Sequence, residues 1–387
     1  MRIALLGSRG YPSTYGGYET MVRRVAPALA DRGHEVTVYC RQRLGRRNVW
    51  MDGNVRCVWT PGRESKSAST LTFGLSSHID AAGRRFDAAL VLNVANGYYL
   101  PVLRWAGTPT VLNTDGLEWE RGKWGPVARA VFFRGAKISA SAATVLVSDS
   151  EAIADVWERD FAVRPRFIPY GADVQEDLGS DRVEAIGVEP GRYVLAVARL
   201  IPENNVELLL DALDRMPDRP AAVVVGSATY GSPLEERLQH LDGVGGFRWL
   251  GHVHDQTLLT QLWANCAVYV HGHSVGGTNP ALVQALGAGA PTLALETPFN
   301  REVIAHDPQL FPQDAQRLSE MLAAVVGDAP LRQSWRERGR EIVGTRYQWD
   351  DVTRAYEQAL RDAVRKRAGF AVASRLPRGS YVPASAD

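Results

Sequence analysis

Residues 271–303 read HGHSVGGTNPALVQALGAGAPTLALETPFNREV, and their types suit the holding of an anion. An apolar, strand-like run from Cys266 to Val270 leads into a loop carrying His273, Gly276, Gly277, Thr278 and Asn279. Pro280 then opens an apolar helix that carries Gln284. Proline costs nothing in a first helical turn, because its missing N–H would have no partner there. Glycines let backbone approach a ligand closely. Free N–H groups and the positive end of a helix favour negative charge. The stretch therefore reads as a phosphate or diphosphate cradle or, with equal weight, as an ordinary strand-to-helix turn. Two other positions could do chemistry. Arg199 ends the apolar run RYVLAVARL, where a guanidinium either grips phosphate with two nitrogens or makes a surface ion pair. Asp115 and Glu118, with Trp119 and Trp124, follow the strand PTVLN. Function collects at the carboxyl ends of strands in open α/β sheets. The competing readings are an Asp-Gly turn, a surface acid, and tryptophans that cap the core.

The elements that must position these groups follow a βα alternation. RIALLG is a buried parallel strand, 20–31 an amphipathic helix, and HEVTVYC a second strand. Strands follow in FDAALVLNVAN, TPTVLNTDG, TVLVSDSE and RPRFIPYGAD, the last carrying Tyr170. Ser-Asp-Ser-Glu at 148–151 supplies helix-capping residues. Residues 177–191 are polar and glycine-containing and read as a linker. The alternation restarts with RYVLAVARL and AAVVVGSA, the latter ending in Gly226 and Ser227. The fold class is α/β, with two doubly wound, Rossmann-like domains. Their bounds are 1–178 and 190–345, followed by an amphipathic helix over 347–365 and an aperiodic, disordered tail over 366–387.

The length, 387 residues, suits two domains, and 45% apolar with 22% charged residues is a soluble globular composition. A net charge of +1 gives no global field to recruit nucleic acid. Cys40, Cys57 and Cys266 lack ligand spacing, and an odd number of thiols argues for a reducing, cytoplasmic setting. MRIALLGSRG reads as a first strand rather than a signal peptide, and no run approaches the roughly 18 apolar residues of a membrane span. The loop after the first strand lacks G-x-G-x-x-G, and strand two ends in Arg41 rather than an acid. An NADP enzyme survives as a remote alternative. The basic run 41–47 is a solvated loop or a contact for an anionic acceptor or lipid surface. There is no D-x-D signature and no His/Cys cluster of metal spacing, so no metal is expected.

H-S-V-G-G-T-N-P, A-L-G-A-G-A-P and T-P-F-N-R-E-V resemble the donor-sugar site of family 4 glycosyltransferases. G-S-R-G-x-P-x-x-Y-G-G-x-E-T at Gly7–Thr20 narrows the resemblance to a rhamnosyltransferase-like bacterial branch. The resemblance, spanning residues 1 to about 360, implies a GT-B fold: two domains facing across a cleft, the last helix crossing back to the first. It implies transfer of rhamnose or a related hexose from a nucleotide sugar to an acceptor hydroxyl, with retention and without metal or other cofactor. Arg199 then matches the arginine on the donor diphosphate. Gly16 and Gly17 face that diphosphate from the other domain, and Tyr170 lies in a segment near the cleft. Asp115 falls beside the reacting sugar, and Glu118, Trp119 and Tyr170 lie on the acceptor side. His273, Gly276–Asn279, Gly226, Ser227 and Gln284 fall on the donor side. Three positions depart from the family. Asn204 stands where a lysine is usual, with Arg301 a candidate substitute, and Gly276 and Gln284 replace two glutamates. Gln284 suits the single ribose hydroxyl of a dTDP-sugar, although a UDP-sugar remains open. The acceptor is a glycan, a lipid-linked glycan or a small molecule, with peripheral membrane contact left open. A non-catalytic or pseudo-glycosyl-coupling protein of the same fold is the alternative.

Overall fold

The computed structural model describes residues 1–12, 17–63, 69–121, 124–228 and 232–373. Among these residues two sheets form. The first has eight strands: β1 (Arg2–Leu6), β2 (Glu35–Cys40), β3 (Val49–Asp52), β4 (Val55–Trp59), β5 (Ala88–Leu92), β6 (Thr110–Asn113), β7 (Val145–Ser148) and β8 (Arg166–Phe167). Their order is β3-β4-β2-β1-β5-β6-β7-β8. Every pairing is parallel except β3 against β4. The second has six: β9 (Tyr193–Val197), β10 (Ala221–Val225), β11 (Phe247–Trp249), β12 (Val268–His271), β13 (Thr292–Leu295) and β14 (Leu310–Phe311). Their order, β11-β10-β9-β12-β13-β14, is parallel throughout. The chain is thus an α/β protein with two parallel-sheet, Rossmann-like domains.

Continuous apolar strands are what a sheet covered on both faces requires. Successive side chains alternate between faces: Ile3 and Leu5 enter one core of the first domain, Ala4 and Leu6 the other. Val194 and Ala196 divide from Tyr193 and Leu195 in the second domain in the same way. The antiparallel edge pair β3–β4 falls outside the βα alternation read from sequence. The helix Asp181–Ala185 lies within the 177–191 stretch read as a linker.

The final helix, Trp349–Ala373, runs past the expected end at 365, which corrects the expectation of an aperiodic tail from 366; residues 374–387 lie outside the described residues. Its Val352, Tyr356, Ala359, Leu360 and Ala363 form an apolar stripe at helical spacing. That stripe is buried in a core of the first domain, not the second. Tyr356 there accepts a 2.6 Å hydrogen bond from Asn113, at the end of β6. Truncating the fully buried Leu360 to alanine would cost about 2–5 kcal/mol.

Candidate functional site

A cleft of about 1040 Å³ separates the carboxyl ends of the two sheets, and residues from both line it. On the second domain's wall, β9 delivers Arg199, β10 delivers Gly226 and Ser227, and β12 delivers the loop from His273 to Asn279. Gln284 faces the cleft from the helix Pro280–Gly287. Gly226 sits at φ +139°, where a Cβ would lie 1.8 Å from the carbonyl oxygen of Ala198, so only glycine allows the two strand-end loops this approach.

The anion cradle differs in kind from the one the sequence suggests. Asn279 caps the helix Pro280–Gly287, its side chain accepting from Ala281 N at 3.0 Å, while its carbonyl accepts from Leu282 and Val283. The helix therefore has no free first-turn N–H to offer. The backbone amides of Val275, Gly276 and Gly277, in contrast, have no acceptor among the described residues. The cradle is made of loop amides, with the helix behind contributing only its dipole.

Arg199 is exposed in the cleft, and its guanidinium has no carboxylate or hydrogen-bond partner among the described residues. His273 stands beside it, and its Nδ1 is buried with no partner among the described residues. Burial, with Arg199 and Arg121 nearby, lowers its pKa to about 3, so it is a neutral imidazole at physiological pH. It stacks on His271 with ring centroids 4.3 Å apart.

The first domain's wall is built from side chains. Asp115 stands at φ +61°, a conformation rare for a residue with a Cβ. Asn113 Oδ1 accepts its N–H at 2.9 Å, and Asn93 donates to its carboxylate at 3.0 Å. Glu118 is buried, with its carboxylate 2.6 Å from Arg121 Nε and accepting from Trp124 Nε1 at 2.7 Å. Tyr170 and Tyr18 line the same wall, and the Tyr18 hydroxyl is buried with no partner among the described residues.

Asp149, after β7, closes the gap between walls. Its carbonyl accepts from both the N–H and the hydroxyl of Thr278. Its carboxyl rests on Gly277, where a Cβ would lie 1.9 Å from Oδ1. Burial first, then the Asp115 charge, raises its pKa to about 8. A second tie lies behind: Glu302 of the helix Pro298–Ile304 caps the first domain's helix Glu151–Phe161. It accepts from Ser150 Oγ at 2.7 Å and from Glu151 N at 3.0 Å. A carboxylate there meets both orphan amides and the helix dipole.

The cleft gathers Arg199, Asp115, Glu118, Tyr170, Asn204, Gly226, Ser227, His273, Gly276, Gly277, Thr278, Asn279 and Gln284. Several expectations are corrected. Trp119 does not line it; the indole packs edge-on against Phe133, Trp157 and Phe161 in the core. Thr278 has no donor left for a ligand, having used both on Asp149. Arg301 is held on the surface by Glu296 and Asp307 and lies outside the cleft lining. Asn204 reaches the cleft, but its amide donates to the Arg199 carbonyl at 2.8 Å. Gly16 lies outside the described residues, and Gly17 opens the helix Gly17–Asp31.

Sequence reasoning passed over Arg9, Arg23, Tyr18, Arg121 and Asp149. Asp149 carried a signal, since it follows a strand's carboxyl end like Asp115, but Ser-Asp-Ser-Glu reads first as a helix cap. Among the described residues no three His, Cys, Asp or Glu side chains stand close enough to hold a metal ion, and no helix is long and apolar enough to cross a membrane.

Two family models match the chain, one to each half. The model described as "Glycosyl transferase 4-like domain" covers residues 16–171, and "Glycosyl transferases group 1" covers 182–342. A phosphatidyl-myo-inositol mannosyltransferase of Mycolicibacterium smegmatis is 31% identical over 201 residues, which is 49% of this chain and 51% of that protein. An exopolysaccharide phosphotransferase of Streptomyces coelicolor is 25% identical over 185 residues, 46% of this chain and 19% of that protein. The matches thus span about half of the first curated relative and a fifth of the second. Among solved structures, Anabaena Alr3699/HepE in complex with UDP aligns with a TM-score of 0.71 at 18% identity, over 93% of this chain and 99% of that one. Sucrose-phosphate synthase from Thermosynechococcus elongatus aligns with a TM-score of 0.76 at 17% identity, over 96% and 99%.

Proposed function

We propose, for a chain that belongs to the group 1 glycosyltransferase superfamily and has its GT-B fold, that it moves a hexosyl group from a nucleoside-diphosphate sugar to an acceptor hydroxyl. The observation that carries this is the second domain's wall: Arg199 and the amides of Val275–Gly277, which have no partners among the described residues, and a neutral His273 converge at a strand-end cleft. Fixed dipoles and a guanidinium aimed at one spot stabilise a charge that grows there, which is what a departing diphosphate needs. This supports metal-independent transfer. The ribose falls to Gln284, whose uncharged amide suits a dTDP-sugar ahead of a UDP-sugar. Rhamnose or a related hexose is the proposed donor sugar.

In the reaction the bond from sugar C1 to the diphosphate oxygen breaks, and a bond from C1 to the acceptor oxygen forms. The acceptor's proton passes to the leaving phosphate or to Asp115, the carboxylate held at the mouth of the first domain's strands. Asparagine in place of Asp115 separates the two routes: unchanged turnover leaves the phosphate as base. Same-face departure and attack, with retention, is the stereochemical proposal.

The acceptor wall has two characters. Arg9, Arg23 and Arg41 line it, and so do Trp124, Val127, Val131 and Phe132. An acceptor with a charged and an apolar part, such as a lipid-linked glycan, fits both, and its delivery would bring the protein to a membrane surface.

The test is release of nucleoside diphosphate from a panel of dTDP- and UDP-hexoses with EDTA present. Slow release without acceptor, fastest for one sugar, is expected, and NMR of the first transferred product reads the anomer. Binding of the panel without release of any diphosphate would leave a binding protein of the same fold.

A further inference from the structure

Among the described residues, Arg199 is the one arginine or lysine that the second wall brings to a site that would hold two negative phosphates. Asn204 has no charge and Arg301 is tied down outside the cleft. Arg121, from the opposite domain, meets the need. Its side chain is 12% exposed, and only Nε engages Glu118. Nη1 and Nη2 have no acceptor among the described residues. A methyl group placed on Gly116 would lie 3.1 Å from Arg121 Nη2 and 3.4 Å from the Cα of Gly276, so the guanidinium stands beside the loop of unbonded amides. Arg121 and Arg199 both bear on the His273 imidazole, one from each domain.

We propose that Arg121 is the second diphosphate-binding cation of this enzyme, supplied across the cleft by the acceptor domain in place of the charge missing at Asn204. The inference rests on the nucleotide-sugar reading given above. A guanidinium has five donors in a fixed fork. The Glu118 carboxylate pairs with the Nε side of the guanidinium by charge, which leaves both terminal nitrogens to phosphate oxygens. The cation reaches the diphosphate only while the Asp149–Thr278 and Glu302–Ser150 ties hold the walls together. Leaving-group stabilisation is therefore coupled to closure.

The experiment measures calorimetric affinities of dTDP and UDP against thymidine and uridine for wild type, Arg121→Gln and Arg121→Lys. Nucleoside binding is an internal control for an intact cleft. The expected result is that Arg121→Gln lowers the preference for diphosphate over nucleoside by roughly tenfold or more, while nucleoside affinity is unchanged. Arg121→Lys, keeping the charge but not the fork, retains part of the preference. A Gln variant with the wild-type preference overturns the role of Arg121 and leaves the nucleotide-sugar reading standing. A wild type that binds diphosphate no better than nucleoside overturns both. If Arg121→Gln also loses nucleoside binding, the Lys variant decides: nucleoside binding regained without any diphosphate preference overturns the proposal, and both regained together support it.

Discussion

The two walls of the cleft are made differently. The second domain's wall centres on one continuous piece of chain, residues 273–284, flanked by the strand ends at Arg199 and Gly226 and by residues 252–263. At its centre stand backbone amides, the neutral His273 imidazole and Arg199, whose guanidinium has no partner among the described residues. The first domain's wall collects Tyr18, Asp115, Glu118, Arg121, Asp149 and Tyr170 from separate loops, and its groups are side chains that mostly bind one another. A wall of fixed dipoles meets an anion without rearranging. A wall of paired and unpaired acids and tyrosines suits proton transfer and the positioning of an acceptor. Each is suited to one half of a group transfer.

The contrast can be broken from either side. The largest effect is expected for Arg199→Ala, which removes the free cation of the rigid wall. By analogy with the loss of one preorganised donor, kcat/KM should fall by roughly 10²- to 10³-fold, measured as nucleoside diphosphate release. Next comes Gly277→Ala. Its Cβ would collide with Asp149 Oδ1, pushing the walls apart and displacing one of the three cradle amides. Turnover should drop by about 10²-fold and diphosphate affinity by roughly tenfold, the share lost with Arg121, a split that equilibrium titration beside steady-state kinetics would read. Glu302→Gln weakens the tie behind the cleft. A loss of about 1 kcal/mol is expected from the weakened helix cap, seen as a lower Tm and faster proteolysis between the domains.

A further expected effect concerns pH. Burial raises Asp149 to about 8 from a carboxyl's ordinary 3.8, so the folded, closed state holds its proton more tightly than the unfolded state. Stability from this group is fully present below pH about 4 and is lost as pH rises towards about 8. Asp149→Asn should flatten that part of the Tm–pH curve. An unaltered curve would show that the acid wall is not strained by its closure against Gly277.

The same contrast explains what could be read from the sequence. The second domain's wall is local: Gly276-Gly277 before Asn279-Pro280 are neighbours both in the chain and in the fold, and Arg199 stands at a strand end. The alternation of apolar runs also makes both sheets visible. The first domain's wall is not local. Arg121 and Asp149 become functional candidates only when the Gly276–Thr278 loop from the other domain is laid against them. Trp119 misled because an indole after a strand looks the same whether it turns to the cleft or, as here, to Phe133, Trp157 and Phe161. Thr278 misled because its partner is a backbone carbonyl 129 positions away. The antiparallel β3–β4 pair escaped because Val49–Asp52 is short and carries no helix behind it.

The most direct measurement of the central claim is a calorimetric titration of dTDP and UDP into wild type and Arg199→Ala, with EDTA present and the matching nucleosides as controls. Diphosphate binding tighter than nucleoside binding in wild type is predicted, with most of that margin lost in Arg199→Ala. Equal binding of diphosphate and nucleoside, or a margin untouched by removing Arg199, would contradict the assignment of the second domain's wall to the donor diphosphate.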